Sequence, residues 1–163
     1  MHPFDFLTLQ NGAKFAFTPC PGTKSVSLDD SLKALHQAGV EAVITLLPDS
    51  EMASLEVSDL GRNTESLGMR CFHFPVEDDC APGDDFLMAF ESGKSLLSAM
   101  IEAQATIAIH CRGGSGRTGL MAAILLLESG ETWAAVKAMI QQVRPKALTL
   151  PVHVDYLKQH YSI

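Results

Sequence analysis

The sequence is poor in charge and poorest in positive charge. Only 19% of its 163 residues are charged, and 12 Lys+Arg stand against 19 Asp+Glu for a net charge of −7. With a pI near 5.2 and no Lys/Arg cluster, the chain lacks the basic patch whose counterion release drives binding to nucleic acid or to an anionic membrane. An anionic ligand must therefore be caught locally. The opening MHPFDFLTLQNG lacks a basic n-region, and its short apolar run is interrupted by Asp5. Neither a secretory signal nor a membrane anchor is expected, and the cytoplasm is the default location. The four cysteines, at positions 20, 71, 80 and 111, form no CxxC pair, which in a reducing compartment reads as free thiols. The six histidines form no HExxH and no paired Cys/His ligand spacing, so neither a metal site nor a cofactor is expected. No repeat, low-complexity tract or linker divides the chain, and residues 1–163 read as one domain.

Apolar residues make up 47% of the sequence and the mean hydropathy is +0.14, enough to offset chain entropy on collapse. FLTL and KFAF, joined through Gln10-Asn11-Gly12-Ala13, predict a small antiparallel hairpin, followed by a Pro-rich turn from Thr18 to Gly22. Ser27 can cap a helix carrying Leu28, Leu32 and Leu35, with Gly39 at its stop. AVITLL at 42–47 is apolar throughout, as in a strand covered on both faces, and Pro48 ends it. A weaker helix is expected over 58–67, a strand in MRCFHF, a helix over 84–102 and a strand in TIAIH at 106–110. Helices follow over 118–129, from the Thr132 cap to Val143, and at the C-terminus. Strands alternating with helices predict an α/β fold whose central sheet is mostly parallel and flanked by helices on both faces.

The segment IAIHCRGGSGRTGLMAAILLLE places three glycines between a buried strand and an apolar helix. Small residues let successive backbone N–H groups point inward, and the helix N-terminus adds roughly half a positive charge. A nucleotide P-loop is excluded, because GxxxxGK[ST] needs a lysine that is absent. The loop instead opens with Cys111 and closes with Arg117, placing a thiol and a guanidinium across one phosphate-sized cradle. Such surroundings are expected to lower a thiol pKa from ~8.5 into the range ~3.5 to 7.5. Arg117 can hold two oxygens at once, and Thr118 can give a hydroxyl proton to a departing thiolate. An imidazole at His110 can bond the cradle backbone. A proton donor must reach the leaving oxygen from another loop, and the acidic run Glu77, Asp78 and Asp79 supplies the candidates.

HCRGGSGRTG resembles the HCxxGxxR[ST]G signature of cysteine-dependent protein phosphatases. FTPCPGTK, GVEAVITLL, FPVEDDCAP and the C-terminal YL segment extend the likeness to the kinase-associated group of small dual-specificity phosphatases. The resemblance implies the protein tyrosine phosphatase fold and a phosphocysteine intermediate at Cys111. It places phosphate on Arg117 and on the backbone of Arg112, Gly113, Gly114, Ser115 and Gly116. It implies an acid at Asp78, with Asp79 as the second choice, within Pro75-Val76-Glu77-Asp78-Asp79-Cys80-Ala81-Pro82, and support from His110 and from Glu51 paired with Arg117. His153 stands where relatives often carry Gln. The implied substrates are phosphotyrosine and phosphoserine/threonine in proteins, with a protein kinase as a candidate substrate or partner. A phosphate-recognising binding module, and a phosphatase for a small phosphometabolite or phosphoinositide, are the alternatives. Cys71 or Cys80 is a candidate for a reversible disulfide with Cys111.

Overall fold

The computed structural model describes residues 1–163. The strands are β1 (Asp5–Thr8), β2 (Lys14–Thr18), β3 (Val40–Thr45), β4 (Arg70–His73) and β5 (Thr106–His110). They form one sheet in the order β1-β2-β5-β3-β4. β1 and β2 pair antiparallel as the expected hairpin, and every other pairing is parallel. The helices are α1 (Leu28–Gln37), α2 (Asp49–Ser54), α3 (Leu60–Ser66), α4 (Asp84–Glu102), α5 (Gly116–Glu128), α6 (Trp133–Val143) and α7 (Pro151–His160).

Consecutive strand residues point to opposite faces, so a strand buried at every position must be covered on both. The four residues Ile107 to His110 of β5 are all buried, as are the last four of β3. Helices therefore flank both faces of the sheet, as the sequence implies. Ser27 caps α1 by accepting from the Asp30 N–H at 3.0 Å, and Thr132 caps α6 through the Ala135 N–H. Along α4 the buried residues Phe86, Phe90, Gly93, Leu97 and Ile101 recur at three- and four-residue spacing and form one stripe. α5 is different, because every residue from Arg117 to Leu126 is buried. It is the central helix of a continuous core of 41 residues.

Some elements depart from expectation: β3 spans Val40–Thr45 rather than 42–47, and α3 spans Leu60–Ser66 rather than 58–67. α5 begins at Gly116 rather than Thr118. α2 was not expected at all, because six residues are too few to show a helical period. Its signals are Pro48 at the N-cap and Asp49 and Glu51 in the first turn.

Phe74 continues the line of β4, its N–H bonded to the Thr45 carbonyl at 2.9 Å. Its ring meets Phe86 and Phe90 edge-on at 6.0 and 5.7 Å, and Gly93 leaves room for it on α4. This packing fixes the point at which the chain leaves the sheet for the acidic run. Phe74→Ala should cost about 3–5 kcal/mol, read as a lower urea midpoint with an unchanged m-value.

Candidate active site

In a parallel sheet all carboxyl ends lie along one edge, and ligand-binding loops gather there. Register sharpens the rule here. Thr18, His110, Thr45 and His73, the last residues of β2, β5, β3 and β4, stand level with one another across the sheet. The segments that follow them, beginning at Pro19, Cys111, Leu46 and Phe74, leave at one height and surround a common cleft.

The loop after β5 is the cradle. Cys111 is buried, and two donors converge on its sulfur: the Gly114 N–H at 3.3 Å and the Thr118 hydroxyl at 3.2 Å. The amides of Arg112, Gly113, Ser115, Gly116 and Arg117 donate to no protein acceptor, leaving them free for an anion at the start of α5. Gly114 has φ +83, and a Cβ there would come within 2.7 Å of the Thr18 and Pro19 backbone. Only glycine fits. The Gly114 carbonyl is held from behind by Arg144 Nε at 2.9 Å, while the same guanidinium reaches Asp5 at 2.7 Å and the Phe17 carbonyl at 3.2 Å.

Arg117 is 3% exposed. Its Nη1 and Nη2 each donate to one Glu51 oxygen at 2.8 Å, and Nη1 also donates to the Val76 carbonyl at 2.9 Å. A guanidinium carries five N–H donors in a fixed fork. Three are used, and the remaining Nε and Nη2 hydrogens form one free edge suited to two oxygens of a phosphoryl group. Asp78 Oδ1 lies 3.6 Å from Nε, beside that edge. Val76 places it there, because its N–H is bonded to the Leu46 carbonyl at 2.9 Å while its own carbonyl holds Arg117. At the far end of the acidic loop, His153 Nε2 donates to the Cys80 carbonyl at 3.1 Å.

Burial works against charge on Arg117, but the Glu51 hydrogen bond and the negative charges of Cys111, Glu51 and Asp78 outweigh it and push its pKa up. The same hydrogen bond, opposed by partial burial, holds Glu51 below the usual carboxylate range. His110 Nδ1 faces the Cys111 carbonyl at 3.0 Å and must donate to it, so Nε2 accepts from the Thr45 hydroxyl at 2.9 Å. The ring is neutral, and complete burial depresses its pKa to about 4. Burial is also the main cause that lowers His2 and His153. The Cys20 thiol is pushed up to about 12, by burial first and then by the charges of Cys111 and Glu51.

A family model described as Tc-R-P, "Polymorphic toxin system, DSP-PTPase phosphatase", matches residues 20–131. The chain belongs to this phosphatase family. Solved structures share its fold. A kinase-associated phosphatase (KAP) with serine in place of its catalytic cysteine superposes with a TM-score of 0.84 at 18% identity, covering 99% of this chain and 96% of that one. Tk-PTP in its active form gives 0.71 at 21% identity, covering 96% of each chain. PTPMT1 in complex with PI(5)P gives 0.73 at 16% identity, covering 96% and 94%.

The phosphatase cleft, about 500 Å³, is lined by Thr23, Lys24, Leu55, Asp78, Cys111, Arg112, Gly113, Ser115, Gly116 and Arg117. Asp79 is outside this lining; its φ is +58 and its N–H turns back to Asp78 Oδ1. Sequence reasoning missed Lys24, Leu55 and Arg144. For Arg144 the only local signal was its place at the end of a helix before Pro145. Cys71 and Cys80 also lie outside the lining. Cys71 packs against Gly61 of α3. No group of three or more His, Cys, Asp and Glu side chains is arranged to hold a metal ion.

Two outcomes follow from this geometry. Gly114→Ala must shift the Thr18-Pro19 backbone or reshape the cradle, and should reduce kcat/KM for p-nitrophenyl phosphate at least about 100-fold, roughly 2.7 kcal/mol of transition-state stabilisation. The second concerns pH. Because the His110 pKa is depressed on folding, its contribution to stability is complete above about pH 6.5 and is lost as pH falls toward 4. Urea midpoints of the wild type should drop over that window. His110→Asn should flatten the slope by up to one proton, leaving the contributions of His2 and His153; an unchanged slope would remove His110 as the titrating group.

Proposed function

We propose that this phosphatase hydrolyses phosphomonoesters in proteins through a phosphocysteine, with residues 1–163 forming one catalytic domain. Cys111 Sγ, as thiolate, attacks phosphorus in line. The free edge of Arg117 and the amides of Arg112, Gly113, Ser115, Gly116 and Arg117 take the non-bridging oxygens, whose charge spreads as the bond to the leaving oxygen breaks. Asp78 protonates that oxygen, so the alcohol departs neutral and the phosphoryl group remains on sulfur. In the second step a water loses its proton to the now ionised Asp78 and attacks phosphorus. The sulfur leaves as an anion, accepting hydrogen bonds from Thr118 and Gly114, and inorganic phosphate is released. His110 and Glu51 position the cradle and the guanidinium.

The observation that carries this reading is the convergence of two donors on one buried sulfur beside an arginine with a vacant two-donor edge. Asp78 is preferred to Asp79 because Asp78 lines the cleft and stands 3.6 Å from Arg117 Nε. A binding module needs neither sulfur nor acid, which weighs against that alternative. The phosphoprotein reading includes a protein kinase, or a kinase substrate, as the partner. No helix is long and apolar enough to cross a membrane. All four cysteines are free, as thiols are in a reducing, cytoplasmic setting.

With p-nitrophenyl phosphate and EDTA, the wild type should turn over. Cys111→Ser should abolish turnover yet still bind vanadate or phosphate, and Asp78→Ala should lower kcat for a phosphoserine peptide about 10²- to 10⁴-fold. The loss should be smaller for p-nitrophenyl phosphate, whose leaving group needs little proton assistance, than for a phosphoserine peptide. Full activity in Cys111→Ser would overturn the mechanism.

A further inference from the structure

The cleft has more wall than a single phosphate uses. The cradle supplies its floor, whereas Thr23, Lys24 and Leu55 belong to two other segments, one after β2 and one at the end of α2. No aromatic side chain is among the lining residues, so nothing there stacks on a phenyl ring. Two cations are present instead. Lys24 and Arg112 are both exposed, and neither belongs to any of the ion pairs in the protein. In a chain of net charge −7, Lys24 and Arg112 add two positive charges to a cleft whose lining holds one carboxylate, Asp78.

Their proximity is built into the backbone. The Cys20 N–H donates to the carbonyl of Arg112 itself at 3.0 Å, and the Thr23 hydroxyl donates to the Cys20 carbonyl at 2.6 Å. On the other side, the Gly22 N–H donates to Ser31 Oγ on α1 at 3.1 Å. Ser25, next to Lys24, holds φ +60, a conformation that non-glycine residues rarely keep without support from their surroundings. The turn bearing Lys24 is thus stitched to the cradle at one end and to α1 at the other. The phosphoryl chemistry above makes no use of the Lys24 side chain or of the Arg112 guanidinium.

We propose that Lys24 and Arg112 form a second anion subsite beside the cradle, selecting phosphoproteins that carry another phosphate or a carboxylate close to the phosphomonoester being cleaved. This rests on the phosphatase reading of the same cleft. A protein is favoured over a lipid headgroup because the net negative chain would be repelled by an anionic bilayer, and because Leu55 offers an apolar contact for a peptide side chain.

The test compares three phosphothreonine peptides that differ at one residue near the phosphothreonine: Ala, Glu or phosphoserine. With wild-type protein at low salt, kcat/KM for the Glu and phosphoserine peptides should exceed that for the Ala peptide about three- to tenfold, mostly through KM, and the ratio should shrink as salt rises. Lys24 is exposed, so Lys24→Met leaves the core intact. It should bring the ratio close to one, while Lys24→Arg retains it. Separation of the Glu and phosphoserine arms identifies which anion the subsite prefers. A ratio of one in the wild type, or an unchanged ratio in Lys24→Met, would overturn the proposal. So would faster turnover of a soluble inositol bisphosphate than of any peptide, which would assign the subsite to a headgroup. Wild-type hydrolysis of p-nitrophenyl phosphate separates the two layers: if it proceeds while the ratio is one, only the subsite fails, and if it is absent, the catalytic reading fails with it.

Discussion

A guanidinium kept charged and planar inside a protein must be compensated on several sides, since an unpaired buried charge is among the most costly defects a fold can carry. Arg117 meets that demand with Glu51 from α2 and with the carbonyl of Val76 ahead of the acidic loop. One side chain on α5 thereby joins the segments that follow β3, β4 and β5. Removing Glu51 would do more than release a hydrogen bond. It would free the rotation that now directs the unused Nε and Nη2 hydrogens toward the cleft.

The sheet makes this convergence possible. Four strands end level at Thr18, Thr45, His73 and His110, and polar contacts continue along that row. Thr45 donates to His110, His110 donates to the cradle, and His2 bonds to Thr18. A neutral, fully buried imidazole suits this position because it acts as donor and acceptor at once without a charge to solvate. Arg144 braces the cradle from below through Gly114, while His153 braces the acidic loop through Cys80. The reacting groups are therefore held by backbone contacts made from several elements, which limits the reorganisation required as charge moves.

Much of this was readable along the chain because the strongest signals are local. An apolar strand, three glycines and an apolar helix imply a nest at a helix N-terminus wherever they occur, and a cysteine and an arginine at the two ends of so tight a loop face one enclosure. The alternation of strands and helices implied the parallel sheet. α2 escaped because one and a half turns show no period, and its Glu51 was reached only through the family resemblance, because the partner that gives it a role lies 66 positions away. Lys24 and Arg144 escaped for the same reason. Their importance lies in the Arg112 backbone on one hand and the Gly114 carbonyl on the other, partners that spacing cannot reveal.

What the amino-acid order determined by itself is the cradle: its shape depends on positive φ at Gly114, on small neighbours and on the helix that begins at Gly116, all within a few residues of each other. What only the tertiary structure decided is how the cradle is equipped. The pairing of Glu51 with Arg117, the place of Asp78 beside the free guanidinium edge, and the two cations on the rim depend on strand order and register. Those are fixed by how a whole sheet buries its two faces, a property of the assembled core that no short window of sequence contains.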